Sequence, residues 1–595
     1  MNTSSEPRRF EPVFAVLIEI ALLTILSAKS FVPVVKQGQL SDPDCYMRLV
    51  RVEQLAATGD WFDSKVSRSN FPYGETLHWT RAFDLVLLLG AWPLAAHLGF
   101  QKALWSWGVV VSPFLGLLSG YGISWAAGPL LDREGQRLVL ILFLCQPLLL
   151  SAFLLGRIDH HSLLACLFTV LLGCLFRMAA AEGLFFCLLG GVVAAFAVWV
   201  SVESLIAVVL VSGALTILWT VYGESYGLKL FYFYLSLLAA SSLLLFAERP
   251  LSSLLAAEYD RVSIVHVSIF FIITISSAVI SGIKSEKPFC RLVTAGVSFF
   301  LSLIFQWLLF PDFFKGPYVK VDPAAAAFWL SRVNEVQPLP ALSMSAKVMV
   351  IGPLLLSAVF LFYTARQHNR KTDTRLVVPL ALGLFLFGGL TFFQIRWVYY
   401  SSIIAVMVLA LFLRSVLKCL ESGGKWQALK KVTAICIICI GFIFASHLAA
   451  GIENKTGRPS YSQLQLKSLC EWLTVSRAIM PGSAILANVD FGPEILYRTS
   501  GNVIATPYHR NGEGISFYYG VMSAESDDEA NLMIEERGID LIVLCPDYDH
   551  KFSFENGSGE STFFERLLLG QIPPWLEPVK LPGGLGKDFI IFKAG

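Results

Sequence analysis

Long apolar segments separated by polar loops make up most of the chain. A helix of about 20 apolar residues is long enough to cross a bilayer. Segments of this kind lie at residues 12–34, 104–128, 138–156, 161–177, 184–201, 203–221, 229–247, 265–283, 290–310, 347–366, 376–394, 398–416 and 432–450. A further apolar stretch at 83–99 is interrupted by Trp92-Pro93. These segments predict a polytopic α-helical membrane protein.

Composition agrees with this class. Charged residues make up 15% of the 595 residues and the mean hydropathy is +0.63, which is too apolar for a soluble chain. The 12–34 run lacks the small-residue cleavage pattern of a signal peptide, so we expect a retained membrane anchor. The net charge is +2 and the sequence has no basic cluster, so we expect no nucleic-acid partner.

The basic loops predict the orientation, because loops rich in Lys and Arg stay in the cytoplasm. These loops are the amino terminus with Arg8 and Arg9, and residues 132–137, 284–291, 366–375 and 418–431. All of them lie inside if 83–99 is an interfacial or re-entrant helix, whereas a crossing there would reverse the later loops. We therefore expect about thirteen spans in the plasma (inner) membrane, with the amino terminus cytoplasmic and the tail external or periplasmic.

The tail has the composition of an ordinary globular domain. Residues 484–487, 502–506 and 539–545 have the pattern of short buried strands, and 526–537 has that of an amphipathic helix. Their alternation predicts an α/β fold. We expect residues 1–451 to form a transmembrane domain with external loops at 35–103 and 311–346. Residues 452–595 should form an external soluble domain.

Acidic motifs lie at the ends of apolar runs. They are Asp42-Pro43-Asp44, Asp159-His160-His161 and the Glu335 of Arg332-Val333-Asn334-Glu335-Val336-Gln337-Pro338. A carboxylate beside a membrane is costly unless it is paired, metal-bound or functional. The predicted topology places all three motifs, with Glu203 and Arg396, on the external face. The sequence therefore predicts a metal-assisted site built across the bundle.

These motifs resemble those of oligosaccharyltransferase catalytic subunits, which are GT-C glycosyltransferases. Glu335-Val336-Gln337-Pro338 resembles the glutamate motif of that family's large external loop. Asp42-Pro43, with Arg48 six residues after the aspartate, resembles its first-loop motif. Asp159-His160-His161 falls where the family carries Asp-x-Asp or Asp-Asn-Glu. Arg396 resembles the arginine that faces the lipid-linked donor.

The resemblance extends into the tail, with two departures. Val489-Asp490-Phe491-Gly492 resembles the Trp-Trp-Asp-Tyr-Gly acceptor motif, but Asn488-Val489 replaces the tryptophan pair that helps to hold an asparagine sequon. The acceptor is therefore expected to be a glycan, a lipid or a protein site, with sequon recognition left open. The second acid of the Asp-x-Asp turn is His161, and an imidazole ligand suits Mn²⁺ or Zn²⁺ better than Mg²⁺ or Ca²⁺.

The resemblance implies a GT-C-like membrane fold and transfer of a sugar or oligosaccharide from a polyprenyl phosphate or pyrophosphate. The leaving phosphate develops negative charge, which a divalent cation (Mn or Mg) and an arginine can stabilise. The implied catalytic residues are Asp42, Asp159 and Glu335. The implied metal ligands are Asp42, Asp159, His161 and Glu335, and Arg396 is the implied donor-phosphate ligand.

Further candidates and alternatives stay open. The candidates on the acceptor side are Asp490, Tyr508, His509 and Arg510, and additional site candidates are Asp44, Glu203, His160 and His78. Asp42 or Asp44 could simply cap a helix, and Arg396 could be an interfacial anchor. His161 could be an interfacial hydrogen-bonding residue. A transporter or flippase for lipid-linked sugars is the alternative function, although such proteins usually show an internal repeat, which this sequence lacks.

Overall fold

The structure is a computed structural model of the chain. It describes residues 31–366, 374–420, 465–550, 554–555 and 561–595, together with residues 430, 433, 434, 437, 441 and 559. The predicted anchor at 12–34 and the predicted span at 432–450 lie almost entirely outside the described residues. The predicted domain boundary at residue 451 also lies outside them.

Long apolar helices dominate the amino-terminal three quarters of the chain. Ten described helices are long and apolar enough to cross a membrane, and an eleventh crossing results if a helix pair bent by 71° is one span. The helices are α1 Pro43–Thr58, α2 Arg81–Leu98, α3 Phe100–Ala126, α4 Arg133–Leu144, α5 Pro147–Leu150, α6 His160–Ala179, α7 Phe185–Val200, α8 Leu205–Tyr222, α9 Glu224–Glu248, α10 Ile264–Gly282, α11 Pro288–Leu309, α12 Pro323–Phe328, α13 Met344–Arg366, α14 Thr374–Phe393 and α15 Val398–Cys419. The predicted polytopic helical fold is confirmed.

The helix α2 covers the interrupted apolar stretch and is continuous through Pro93. By length it is one of the ten candidate spans. Its neighbour α3 lies beside α6 from Ser112, whose hydroxyl donates to Ser162 at 3.0 Å. Earlier in α3, the Trp107 indole donates to the Val86 carbonyl of α2 at 3.0 Å. The part of α3 that packs on α2 thus comes before the part that packs on α6. The interfacial position expected for 83–99 stays a prediction.

The tail contains a mixed five-stranded sheet. Its strands are β3 Ala484–Ala487, β4 Asn502–Val503, β5 Leu541–Leu544, β6 Leu576–Pro578 and β7 Ile590–Ala594, in the order β4-β3-β5-β7-β6. The pairs β3–β4 and β3–β5 are parallel, and β7 is antiparallel to both β5 and β6. The tail helices are α16 Leu466–Val475, α17 Gly492–Arg498, α18 Gly512–Ser523, α19 Asp527–Glu536, α20 Pro546–Asp549 and α21 Phe563–Leu568. The three predicted strands and the helix predicted at 526–537 are all present.

The tail holds the first of the two long loops. That loop contains a small hairpin, β1 Lys65–Val66 and β2 Glu75–Thr76. The segment between these two strands contacts the edge strand β4. The Val503 amide donates to the Arg68 carbonyl at 2.9 Å. The Arg68 guanidinium donates to the carbonyls of Leu496, Thr499 and Gly501. The position of this loop is therefore fixed by the sheet of the tail.

The second long loop, which contains Glu335, is also held by the tail. The Ser516 hydroxyl of α18 donates to Asp322 at 2.9 Å, and Asp322 caps α12. Trp329 and Ala325 are buried in the same apolar cluster as β3 and β5. Both loops that carry acidic motifs are thus positioned against the bundle by one folded unit.

Candidate functional site

Residues from distant parts of the chain line one cavity of about 560 Å³. It lies where the two loops and the tail meet the ends of α6 and α15. Its charged lining residues are Asp42, Asp44, Arg157, Asp159, Arg332, Glu335, Arg396 and Asp490. The structure therefore brings together the acids predicted from the membrane edge, the predicted phosphate-binding arginine and the aspartate of the tail motif.

Asp42 has two roles at this cavity. It caps α1, because its Oδ1 accepts hydrogen bonds from the Cys45 amide at 3.2 Å and from the Cys45 thiol at 3.0 Å. Burial and the neighbouring Asp159 raise its pKa, although Arg157 opposes the shift. Burial also raises the pKa of Asp44 well above its usual range, helped by Asp42, Asp159 and Glu335. The helix-cap alternative is thus correct for Asp42, and the same carboxylate still faces a crowded acidic cavity.

Asp159 organises the histidine pair. It caps α6, and its Oδ2 lies 2.9 Å from His161 Nδ1. His160 Nδ1 lies 2.8 Å from the other oxygen, Oδ1. Burial alone would raise the pKa of Asp159, but His161 and His160 together hold it well below its usual range. One ligand atom from each of the three residues lies within 4.8 Å of the others, so the group could hold a metal ion.

The imidazole of His161 is oriented as a ligand would be. Its Nδ1 contacts Asp159, which leaves Nε2 facing Glu335 Oε2 at 3.8 Å. This Nε2 is buried and has no hydrogen-bond partner among the described residues. A carboxylate on one ring nitrogen commonly orients the other toward a metal. The donor atoms of His161, Asp159 and Glu335 suit a divalent transition metal, so these side chains could hold one. Asp42 as a further ligand stays a prediction.

Arg157 is a residue of the cavity that the sequence analysis missed. Its Nη2 lies 3.1 Å from Asp159 Oδ2 and 3.9 Å from Glu335 Oε1. Burial alone would lower its pKa, but Tyr399, Asp159, Asp42 and Glu335 raise it well above the usual range. The only available signal was an arginine two positions before an acidic turn at a membrane edge. The cost of burying charge there predicts a partner but does not say which one.

Arg396 is joined directly to the Glu335 loop. The amide of Ile395 donates to the Gln337 carbonyl at 3.0 Å. The Arg396 guanidinium donates to the Tyr318 hydroxyl at 3.2 Å, and its Nη1 lies 3.8 Å from Glu203 Oε2. Its Nε is buried and has no hydrogen-bond partner in the described parts of the chain. Arg396 thus lines the cavity, and its role toward a phosphate stays a prediction.

Glu203 lies behind Arg396. Its Oε1 accepts a hydrogen bond from the Tyr400 hydroxyl at 2.8 Å, while Oε2 faces the guanidinium. Glu203 is not among the residues that line the cavity. Its position is therefore that of a group that orients Arg396.

Of the tail candidates, Asp490 lines the cavity and Tyr508 lies behind its lining, next to Asp44. Asp490 accepts a hydrogen bond from the Tyr548 hydroxyl at 2.7 Å. Tyr508 is buried, and burial together with the adjacent Asp44 raises its pKa well above the usual range. Both residues therefore border the acids of the first loop, on the side formed by the tail.

His509 and Arg510 face a second cavity of about 510 Å³. His509 Nε2 lies 2.8 Å from Asp260 Oδ2, and Arg510 donates to the same oxygen at 2.7 Å. Arg510 also donates to Glu258 at 2.5 Å. The ring of His78 packs against His509 with centroids 4.2 Å apart. The structure thus places these three candidates in a joint between the tail and the 258–260 loop, outside the acidic cavity.

No protein-family model matches this chain, and no curated protein sequence matches it. Its structure does match solved structures. The archaeal oligosaccharyltransferase AglB from Archaeoglobus fulgidus, in complex with an inhibitory peptide and a dolichol-phosphate, aligns with a TM-score of 0.67 and 14% identity, over 89% of this chain and 69% of that one. The complex of the Archaeoglobus fulgidus enzyme with Zn and sulfate aligns with a TM-score of 0.64 and 14% identity, over 92% and 70%. The chain therefore has the GT-C fold that the motif resemblance implied.

Proposed function

We propose that this chain is a membrane glycosyltransferase. It transfers a sugar or oligosaccharide from a polyprenyl phosphate or pyrophosphate to an acceptor on the external face. The observation that carries the proposal is the single cavity on which Asp42, Asp159, Glu335 and Arg396 meet. The oligosaccharyltransferase fold supports it, since one structure of the archaeal enzyme contains dolichol-phosphate.

Arg396 binds the donor phosphate in this proposal. A guanidinium forms paired hydrogen bonds to phosphate oxygens and keeps its charge at any physiological pH. Glu203 and Tyr318 hold the Arg396 side chain at the cavity wall. The prenyl chain stays in lipid while the phosphate meets this fixed positive charge, which stabilises the leaving group in a site partly closed to water.

Asp42 and Glu335 act on the acceptor. Either carboxylate could orient the acceptor nucleophile or take its proton, and such a group typically accelerates a reaction about 100-fold or more. Asp159 holds His161 in the orientation described above. A divalent cation on His161, Asp159, Glu335 and Asp42 would supply a Lewis acid for the leaving phosphate. The imidazole in this set favours Mn²⁺ over Mg²⁺.

The acceptor is a glycan, a lipid or a protein site other than a sequon. Asn488, which replaces one tryptophan of the family motif, is buried and donates to Asp549 at 2.5 Å. Val489, which replaces the other, is buried among apolar side chains of the tail. Both side chains thus pack inside the tail, where the family has a tryptophan pair that helps to hold the sequon. This replacement supports an acceptor other than an asparagine sequon.

The proposed orientation places the cavity on the external or periplasmic face of the plasma membrane, with the amino terminus in the cytoplasm. Two observations support this orientation. The basic loops are expected in the cytoplasm, and all three acidic motifs lie at one end of the helical bundle. At the opposite end, Asp132 pairs with Arg414 at 2.7 Å, as expected for a charged cytoplasmic rim.

The test uses purified protein in lipid nanodiscs with a polyprenyl-linked sugar donor. Water takes the place of the acceptor in this assay, so we expect hydrolysis of the sugar–phosphate bond. The released prenyl phosphate or pyrophosphate should depend on Mn²⁺ or Mg²⁺, and EDTA should abolish the release. Glu335→Gln should lower the release at least about 100-fold. Glu182→Gln is the matched control, because Glu182 is similarly exposed and also lies 3.9 Å from an arginine. Equal release by wild type and Glu335→Gln would refute the proposal, and donor movement across the membrane without release would indicate a transporter.

A further inference from the structure

Arg157 contacts two of the carboxylates that the proposed metal would use. Its guanidinium lies 3.1 Å from Asp159 and 3.9 Å from Glu335. Unlike the neighbouring imidazoles of His160 and His161, it carries its charge at any physiological pH. It also opposes the pKa rise of Asp42. The cavity thus already contains a positive charge that offsets part of its acidic charge.

Arg157 makes one hydrogen bond of ordinary length, from Nη2 to Asp159 Oδ2 at 3.1 Å, and its other contacts are longer. Its Nη1 reaches the Ser151 carbonyl at 3.4 Å and its Nε reaches Asp159 Oδ2 at 3.4 Å, both longer than a strong N–H···O bond. The structural arginine Arg68 differs, because it donates to three backbone carbonyls at 2.5 to 3.1 Å. Few fixed backbone contacts therefore restrict Arg157 to its present position.

A divalent cation would change the balance around this side chain. The oxygens that attract Arg157 are ones the proposed metal would use, and two cations close together repel each other. Arg157 and Arg396 both line the cavity. A guanidinium that leaves the carboxylates can therefore stay in the same cavity, where a phosphate is the complementary ligand.

We infer that Arg157 is a displaceable counter-cation, which pairs with Asp159 and Glu335 in the metal-free protein and turns to the donor phosphate once a divalent cation is bound. This inference rests on the proposed function. It assigns Arg157 a positioning role toward the metal and a binding role toward a phosphate monoester or diester. Arg157→Gln should therefore strengthen metal binding and weaken phosphate binding. Loss of a purely structural arginine would not produce these opposite effects.

The first measurement is Mn²⁺ binding to the full-length protein in nanodiscs without donor, by calorimetry or electron paramagnetic resonance. Arg157→Gln removes the competing cation, so we expect Mn²⁺ to bind about tenfold more tightly than in wild type. Arg157→Lys keeps the charge and should bind Mn²⁺ like wild type. Arg133→Gln, an exposed arginine at the start of α4, is the control and should change nothing. Unchanged or weaker Mn²⁺ binding by Arg157→Gln overturns the inference.

The second measurement is phosphate binding at saturating Mn²⁺, with polyprenyl phosphate, polyprenyl pyrophosphate and inorganic phosphate as separate probes. We expect Arg157→Gln to weaken binding of at least one polyprenyl probe about tenfold, and to have little effect after EDTA treatment. An effect on inorganic phosphate as well would show that the phosphate group alone is recognised. Equal affinity of wild type and Arg157→Gln for all three probes at saturating Mn²⁺ overturns the inference. Neither measurement needs turnover, so a chain inactive in transfer but showing both effects would refute the proposed function alone.

Discussion

Two acidic clusters in this molecule contain the same residue types but differ in how far their charges are paired. In the second cavity, Arg510 donates to Asp260 and Glu258 at 2.5 to 2.7 Å. Arg510 and His509 hold the pKa of Asp260 well below its usual range, despite burial, and that of Glu258 is lowered to about 2 despite burial, chiefly by Arg261. In the first cavity, burial and mutual repulsion raise the pKa values of Asp42 and Asp44.

The difference separates a structural joint from a candidate active site. Carboxylates that are fully paired stabilise a fold, whereas carboxylates crowded together at a cost in stability usually serve a ligand or a reaction. The second cluster joins the tail to the 258–260 loop. The first is lined by five carboxylates and three guanidinium groups, so its acids outnumber its arginines. The following substitutions test whether the two clusters behave in these different ways.

The largest effect is expected at Asp42, where two substitutions distinguish the helix-capping role from the catalytic role. Asp42→Ser keeps a good helix cap but removes the carboxylate. We expect sugar transfer to fall about 100-fold or more, while the melting temperature stays near that of wild type. Asp42→Ala should lose the same activity and in addition about 1 kcal/mol of stability. Normal transfer by Asp42→Ser would mean that this residue is only a helix cap.

Glu75 tests, at a position outside the first cavity, whether a buried carboxylate with a raised pKa reduces the stability of the fold when it is charged. It is buried between the first loop and the tail and accepts from the hydroxyl of Ser69 at 2.5 Å and from that of Thr506 at 2.5 Å. Burial raises its pKa from 4.5 to about 7. A raised carboxyl pKa means that the folded state binds the proton more tightly, so its stabilising effect is complete below about pH 4.5 and is lost as pH rises through about 7.

We expect the stability of wild type to fall between about pH 4.5 and about pH 7 by an amount on the order of 3 kcal/mol, the equivalent of that shift. Thermal unfolding in detergent across this range measures it. Glu75→Gln carries no titrating group and should show a flatter pH profile at the same ionic strength. Identical profiles would show that Glu75 is not the group responsible.

Arg510 tests the paired cluster. Arg510→Ala leaves two partly buried carboxylates without their main partner, so we expect a loss of about 2 kcal/mol of stability. Transfer activity per folded molecule should change little, since Arg510 does not line the first cavity. A stable Arg510→Ala protein that had lost activity would reverse the roles assigned to the two clusters.

The smallest effect is expected at Tyr318, which connects the two regions. Its hydroxyl accepts from Arg396, and its ring packs edge-on against His509 with centroids 5.3 Å apart. Tyr318→Phe removes one hydrogen bond to a charged group, worth about 1 to 2 kcal/mol. We expect the KM for the donor to rise several-fold with little change in kcat. A fall in kcat alone would place Tyr318 in the chemical step.

Much of the site follows from the sequence because membranes penalise unpaired charge. Asp42, Asp159, Glu335 and Arg396 stand out at the ends of apolar runs, and the basic loops assign them to one face. Their convergence on one cavity agrees with that expectation. The strands at 484–487 and 539–545 are detectable for a similar reason, since buried parallel strands are continuous apolar runs.

Other features depend on contacts between residues distant in sequence. Nothing local to Arg510 indicates that it binds Asp260, 250 residues earlier in the chain. The run at 138–156 suggests a single straight helix, but the structure bends it by 71° before Pro147. The strand β6 contains Pro578, which argues against a strand in the sequence alone. Each of these features is determined by packing partners, which periodicity does not identify.

The most direct test is to locate Mn²⁺ by anomalous diffraction in crystals of the protein grown with the metal and a polyprenyl phosphate. We expect a peak about 2.0 to 2.3 Å from His161 Nε2 and from a Glu335 oxygen, with the Arg157 guanidinium moved away from Asp159. A peak at Asp260 and Glu258 in the second cavity, or no bound metal in a protein that transfers sugar, would contradict the assignment of the acidic cavity as the metal-dependent catalytic centre.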